Sequence, residues 1–509
     1  MLYEKLTIPI NLPRPYNNEI NIEYPHIALI KQLLNSSKTN ETSIINLFNN
    51  YFLEKVSLKI KNIVENWILI FIKNIVPIIL KSSDKDQGLY QLLRFIDNII
   101  FNFSYLEELI NRKFTYDNLS NILTFSGYMT NLISQDKKLL DILDPDYAMR
   151  LNGNITFYQS TFDKIDSNIY DEEALLDALR KNHRFLKFQI LFALIKNDID
   201  IQRASNEFSL LAQATLNKTL EIAEKKIIKK YDFKCDQYCI IAYGRFGTMT
   251  MTSNSDLDLV FIHNDIEQNS KKNHRSIYID LFRMVINILS TKTKEGMLYE
   301  VDTKLKPSGK YGPIASTFSN FKEYQENKTY SWEKIALKKI RLVSKKNKFT
   351  SDVSSLIKNL QSIPILSKQV AAEVKLMRTD NKKPNSNVAL KSSSPSKWFE
   401  TKYSAGGQRD IEFLKFFYLD RSINKNTHEY DKQILLLKKM EKMFFKLDQI
   451  MNICYLDEKQ DHLPLKAISI LNSETNKKDL GSLKSSINLG KIEIYNTLNE
   501  IIERLEKDS

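Results

Sequence analysis

Asp256 and Asp258 are the residues of this 509-residue chain whose type and spacing most plainly permit chemistry. They stand at i and i+2 where an apolar run, Leu257 to His263, reads as a β-strand. Successive strand side chains alternate faces, so the two carboxylates point the same way while Leu257 and Leu259 turn into a core. Carboxylates crowded on one face repel each other unless a cation lies between them. Hard divalent cations such as magnesium take carboxylate oxygens and complete their shell with substrate phosphates. An isolated Asp-x-Asp is common and by itself describes two solvated acids at a strand edge. The stretch upstream changes that reading. Tyr238–Tyr243 is a β-rich run ended by Gly244, and Gly247 follows three residues later. Small residues there let backbone N–H groups approach a phosphate closely. A strand, a Gly-x-x-Gly turn and paired carboxylates one strand later form the layout of a nucleotidyl-transfer site.

Two further stretches extend the pattern. In Leu298–Gly312, LYEVDTKLKPSGKYG, a strand over Met297–Leu305 puts Glu300, Asp302, Lys304 and Lys306 on one face. Asp302 then adds a third carboxylate if this strand neighbours Leu257–His263, and Lys304 and Lys306 meet phosphate oxygens. In Lys402–Phe413, KYSAGGQRDIEF, Gly406-Gly407 opens a helix carrying Asp410 and Glu412. Exposed N–H groups at such a start can bind an anion, or the glycines simply cap the helix.

With these residues in view, the sequence resembles the glutamine synthetase adenylyltransferase (glutamate–ammonia-ligase adenylyltransferase) family of the DNA polymerase beta-like nucleotidyltransferase superfamily. The family pattern G-K-L-G-G-x-E-x-x-x-x-S-D-L-D-L is met by Gly244–Leu259, and D-x-R-L-R-P-S-G-x-x-G-P by Asp302–Pro313. Y-Q…W-E-x-x-A-L-x-R-A-R is met by Tyr324–Arg341, and K-x-x-x-G-G-x-x-D-I-E-F by Lys402–Phe413. Four motifs occur in order, and weaker similarity runs from about residue 55 to the C-terminus. The departures are Arg245 for the turn lysine, Thr248 for the second paired glycine, Thr250 for the acid, and Lys304 and Lys306 for both arginines. Lysine meets phosphate as a point charge without bidentate geometry, so a weakened grip on nucleotide is an open alternative.

The resemblance implies a metal-dependent nucleotidyltransferase that moves AMP from ATP to a tyrosine hydroxyl of glutamine synthetase, releasing diphosphate and regulating nitrogen metabolism. Family members are usually tandems of an AMP-removing and an AMP-attaching unit. This chain shows one unit, with the wording of the attaching half. Phosphorolytic removal of AMP and a catalytically degenerate binding protein remain the alternatives. The expected metal ligands and catalytic residues are Asp256, Asp258 and Asp302, holding two Mg2+ ions. Gly244, Arg245, Gly247, Ser255, Lys304 and Lys306 are expected to hold ATP. Lys402, Asp410 and Glu412 are second-tier candidates for organising the site. Glutamine synthetase is the expected protein partner, with a PII-type signal protein as a second candidate.

The chain must supply elements that position these residues. Its length suits two to four domains, and 42% hydrophobic with 27% charged residues is ordinary for a globular protein. The net charge of +13 invites a nucleic-acid reading. The lysines are dispersed without interleaved aromatics, so no nucleic-acid partner is expected. Cys235, Cys239 and Cys454 are too scattered for a disulfide framework or zinc site and read as buried thiols. No secretory signal is visible at the N-terminus. Trp67–Leu80, interrupted by Lys73, Asn74 and Pro77, reads as a buried helix rather than a span. A cytoplasmic location without membrane attachment is expected.

The expected fold is α+β, a small mixed-sheet nucleotidyltransferase core embedded between largely α-helical domains. Residues 1–147 form an N-terminal helical region, irregular to about residue 45, where prolines block long helices. Residues 148–232 form a helical lead-in, with an amphipathic helix over Asp171–Leu194 and a second over Ala204–Lys229. Residues 233–345 form the core, with one helix, Arg275–Ser290, on one face of the sheet. Residues 346–509 form a C-terminal helical domain with a mobile linker near 380–397. His183 reads as a surface or packing residue and His263 as a solvent-facing strand-end histidine. The basic residues of a helix over Ser331–Leu342 face either the triphosphate or water.

Overall fold

The structure, a computed structural model, describes residues 61–507 apart from 113–114, 148–150, 152, 166–170, 266–273, 308, 310–311, 346, 379–399, 420–426 and 455–462. The irregular lead-in and the linker near 380–397 lie outside the described residues. By contacts the chain divides into two units, Met1–Met149 with Ser386–Glu400 and Lys446–Ser486, and Arg150–Asn385 with Thr401–Phe445 and Ile487–Ser509.

The described part of the first unit is helical. The apolar run from Trp67 lies in a helix, Lys61–Leu80, with Ile68, Phe71, Ile72, Ile75, Val76 and Ile79 buried. Leu92, Leu93, Phe95 and Ile96 of the helix Lys85–Ile99 are buried as well, and the Phe71 ring meets Phe95 at 6.1 Å and Tyr116 at 5.6 Å. Asn102 and Ser126 cap the helices Phe103–Asn111 and Gly127–Gln135 by accepting the N–H groups of Tyr105 and Met129, three residues on. Among the described residues no helix is long and apolar enough to cross a membrane.

The second unit opens with a short helix, Ile155–Asp163, and two long ones, Glu172–Ile195 and Ile201–Tyr231. Asp171 caps the first by accepting the Glu173 N–H, and Asp200 caps the second through the Arg203 N–H. A five-stranded sheet follows: β1 Tyr238–Ala242, β2 Leu257–His263, β3 Val301–Asp302, β4 Ala315–Thr317 and β5 Arg341–Leu342. Its order is β3-β2-β1-β5, with β4 also paired to β2. β1 runs antiparallel to β2 and β5, while β3 and β4 run parallel to β2. β1 is buried at every position because both faces of the sheet are covered, so its sequence is continuously apolar rather than alternating.

Cover on both faces departs from the single helix expected. On one side Phe282 of the helix His274–Ser290 stacks on Phe261 at 4.6 Å and meets Tyr238 at 5.6 Å. On the other, Cys239, Ile241, Val260 and Ile262 join Phe321 of the helix Phe318–Asn327 and Phe349, Val353, Leu356 and Ile357 of the helix Lys348–Ser362.

Three local expectations are corrected. The strand over Met297–Leu305 shrinks to Val301–Asp302. The Leu298 and Tyr299 N–H groups both donate to the Leu289 carbonyl, and the Lys304 N–H folds back onto Asp302 Oδ1 at 2.7 Å, an Asx turn that ends the ladder. The helix over Ser331–Leu342 stops at Leu337. Lys338 and Lys339 donate to carbonyls three residues back, which tightens the last turn, and Arg341–Leu342 pairs with β1 as β5. His263 is fully buried rather than solvent-facing: its ring stacks on Tyr278 at 5.2 Å and Nδ1 lies 2.8 Å from the Asn264 carbonyl. Burial lowers its pKa. His183 is a packing residue, edge-on to Tyr299 at 4.9 Å, and burial pulls its pKa down to about 3. The three cysteines are buried free thiols.

Candidate functional site

The parallel register of β2 and β3 puts Asp302 directly beside Asp258, and Asp256 lies two residues upstream of Asp258. Carboxylate oxygens of all three lie within 4.8 Å of one another. Asp256 is exposed; Asp258 and Asp302 are half-buried. Burial, with the like charges of Asp256 and Asp302, pushes the Asp258 carboxyl up to about 6 against the opposing pull of Lys402 and Lys304. Burial also acts to raise Asp302, but the Lys304 ammonium at 2.8 Å and the Lys304 N–H together hold it below the usual carboxylate range. An oxygen-rich pocket with a desolvated, self-repelling centre fits a hard divalent cation. The donor set is all oxygen, as magnesium demands.

The glycine turn closes this pocket from the β1 side. Gly244–Gly247 forms a single helical turn, and the Tyr243 N–H donates to the Asp258 carbonyl at 2.9 Å. Gly244 has φ +55, and a Cβ there would collide with Asp258 Oδ2. The glycine therefore satisfies both the left-handed backbone and the close approach of the carboxylate. A Cβ on Gly247 would fall 2.6 Å from the Ala242 carbonyl oxygen and 2.8 Å from that of Lys339. Thr248, where the resembled pattern has glycine, sits at φ −88, which suits any residue. Its hydroxyl lies 2.7 Å from that of Thr250. The Gly247 N–H is used within the turn, bonded to the Tyr243 carbonyl at 2.8 Å.

The other expected ligand residues divide by exposure. The Lys304 side chain is 75% exposed and rests on Asp302. Lys306 is turned inward: it is buried, its ammonium donates to Thr303 Oγ1 at 3.3 Å, and burial lowers its pKa. The two lysines do not share a strand face, because the chain leaves the ladder after Asp302. Arg245 is half-buried on the glycine turn. Ser255 closes the connector before β2, its Oγ accepting the Thr252 N–H at 2.9 Å.

Of the second-tier residues, Lys402 lies near enough to lower both Asp258 and Asp302 by its charge. Asp410 is buried, accepts the Gly406 N–H at 2.8 Å and pairs with Arg378 at 3.2 Å. Glu412 pairs with Lys339. Glu333 serves architecture, accepting the Tyr330 N–H at 3.0 Å and the Tyr324 hydroxyl at 3.2 Å, so it ties two helices together.

Sequence reasoning left the role of Arg341 open between phosphate and water. Its guanidinium instead sits behind the glycine turn. It donates to the Phe246 carbonyl at 3.1 Å and Gln213 Oε1 at 2.7 Å and lies 4.8 Å over the Phe246 ring. The Tyr324–Arg341 motif contained the signal for Arg341; nothing in the sequence marked Gln213, on the buried face of Ile201–Tyr231.

A mixed sheet with a glycine turn after its first strand and three carboxylates at neighbouring strand ends defines a nucleotidyltransferase type of core. The family model described as glutamate-ammonia ligase adenylyltransferase matches residues 116–355, which include the glycine turn, all three aspartates and Arg341. The bifunctional glutamine synthetase adenylyltransferase/adenylyl-removing enzyme of Mannheimia haemolytica is 29% identical over 361 residues, 67% of this chain and 37% of the relative. Enzymes of the same name from Rhodopseudomonas palustris (strain BisB5) and Haemophilus ducreyi are each 28% identical, over 63% and 64% of this chain and 35% of each relative. The chain is thus similar to that family, and the match spans little more than a third of the length of these curated relatives.

Proposed function

We propose that this chain is a metal-dependent protein adenylyltransferase that moves AMP from ATP onto a tyrosine hydroxyl of glutamine synthetase and releases diphosphate. The observation that carries the reading is the in-register pairing of Asp258 with Asp302, with Asp256 beside them. The names of the relatives supply the substrate class. Asp256, Asp258 and Asp302 hold the divalent cations, two Mg2+ ions in this proposal. When bound, such cations lower the pKa of an attacking hydroxyl and offset the charge of phosphate oxygens.

The chain's own groups do the rest. Asp302, kept ionised by Lys304, is the carboxylate that accepts the proton of the incoming hydroxyl. Lys304, exposed and able to leave Asp302, is the cation that meets the departing diphosphate, in preference to the inward-facing Lys306. The glycine turn lets nucleotide phosphates approach the backbone beside Asp258, with Arg245 on the same turn. Gly247 and Ser255 support that turn and connector. Within this proposal residues 233–345 are the catalytic segment, flanked by helical segments at 1–147, 148–232 and 346–509. The protein works in the cytoplasm, and a PII-type signal protein is its second partner.

The test is AMP transfer from labelled ATP and magnesium onto purified glutamine synthetase, beside an Asp256→Asn/Asp258→Asn control. Label on the synthetase that disappears in the control is the expected result. Release of ADP from adenylylated synthetase on adding phosphate, without forward labelling, replaces it with the removing reaction.

A further inference from the structure

β3 is only two residues long and makes two ladder pairs with β2, a short pairing for a strand that carries one of three crowded carboxylates. The chain reaches β3 through a tight turn, Thr293–Gly296, closed by reciprocal bonds of 2.9 and 3.0 Å between those two residues, with Gly296 at φ +88. The helix Glu172–Ile195 grips this turn with residues spaced to share one face. Asp177 accepts the Thr293 hydroxyl at 2.9 Å and pairs with Lys294 at 3.3 Å. Arg184 pairs with Glu295 at 2.8 Å, both largely buried.

Between them Arg180 is 2% exposed. Its guanidinium donates to the carbonyls of Gly296 at 2.7 Å, Ile288 at 3.4 Å and Thr291, and to Leu176 of its own helix at 2.9 Å. Burying a guanidinium against carbonyls is a costly way to gain stability alone. Its fork geometry, however, fixes several backbone positions at once. Past the turn, the Tyr299 ring rests on His183 of the same helix, and the Glu300 carbonyl accepts the Leu257 N–H at 2.9 Å. A continuous set of contacts thus runs from Arg180 to the residue beside Asp258.

We propose that Arg180, with Asp177 and Arg184, is a positioning device that holds Asp302 in the cation cluster, so that the lead-in helix sets the affinity of the site. This rests on the metal-site reading above. The measurement is Mn2+ affinity of the full chain by electron paramagnetic resonance, without nucleotide or protein substrate. It is taken for wild type, Arg180→Lys, Glu295→Gln and Asp302→Asn, and for Arg180→Lys and Glu295→Gln each combined with Asp302→Asn. Loss of a partner bonded directly to a metal ligand weakens cation binding ~10-fold or more; Arg180 acts one step further out, so Arg180→Lys is expected to weaken Mn2+ binding by about 3-fold or more, and Glu295→Gln by less. Neither is expected to weaken binding further once Asp302 is Asn. A lowered melting temperature with unchanged Mn2+ affinity, or a loss of affinity that adds to that of Asp302→Asn, overturns the inference. If Arg180→Lys fails to fold, Glu295→Gln decides by the same criterion. Wild-type protein that binds no Mn2+ overturns the metal-site reading, and this inference with it.

Discussion

The Asp256–Asp258–Asp302 cluster and the Asp410 centre each bring acid together with glycine, and they are wired in opposite senses. Asp410 is buried, but the Arg378 guanidinium and the Gly406 N–H lie against it, and Arg378 also donates to Asn499 at 2.7 Å and covers the Tyr495 ring. At the sheet end three carboxylates face one another, and Lys304, itself exposed, pairs with only one of them. Burial pushes the Asp410 carboxyl up as it does Asp258, but at Asp410 the opposing charge is a buried guanidinium of the fold itself. Carboxylates held in mutual repulsion leave room for a cation, which is why the proposed function places its chemistry at Asp256, Asp258 and Asp302.

Substitutions should separate the two. Asp258→Asn is expected to reduce AMP transfer about a thousandfold, some 4 kcal/mol of lost transition-state stabilisation. It should leave the melting temperature of the cation-free protein unchanged or higher, because a repulsion is relieved. An unaltered transfer rate would break the distinction. Arg378→Met should do the reverse, leaving Asp410 buried without its partner at a cost of about 3 to 5 kcal/mol in urea unfolding. Proton uptake by Asp410 would soften that cost.

The glycines sharpen the contrast at smaller scale. Gly406→Ala and Gly244→Ala each force an alanine into the left-handed region, at about 1 to 2 kcal/mol. At Gly406 the added methyl meets the backbone of Lys491, so the loss should appear mainly in unfolding midpoints. At Gly244 it meets the Asp258 carboxylate, so the loss should appear mainly in Mg2+ and ATP affinity, measurable by calorimetry.

The smallest effect is in pH. Asp258 titrates near 6 when folded, above its ordinary value. Its proton is therefore held more tightly in the folded state, and the stability it contributes is present below about pH 4 and lost as pH rises through 6. Cation binding has the opposite sign. At pH 5 a proton competes at Asp258 and affinity should be ~10-fold weaker than at pH 7.5, since metal ligands must be deprotonated. The Mg2+-induced rise in melting temperature should shrink accordingly. An equal rise at both pH values would place the cation away from Asp258.

Much of the site was legible because it lies in short stretches whose local geometry follows from residue type. Asp256-Leu257-Asp258 on a strand and Gly244 before it need only alternation and backbone freedom. The helix His274–Ser290 and the strand Leu257–His263 followed from periodicity in the same way. Longer readings failed where a neighbour intervened. Alternation carried β3 on to Leu305, but the Asp302 side chain captured the Lys304 N–H. Apolar and basic spacing carried a helix on to Leu342, but the edge of β1 captured Arg341–Leu342. His263 looked solvent-facing until Tyr278, on another element, covered it.

By itself, then, the sequence determined the residue types of the carboxylate cluster, the strand that carries Asp258, and the family resemblance. Tertiary structure alone decided that β3 runs parallel to β2 with Asp302 against Asp258, that Lys304 and Lys306 part company, and that Asp410 is buried against Arg378. The reason is physical. Alternation and backbone propensity act over a few residues and are written locally. Strand register, burial and the pairing of charges depend on groups tens or hundreds of positions apart, and only the folded chain brings them within a few ångströms.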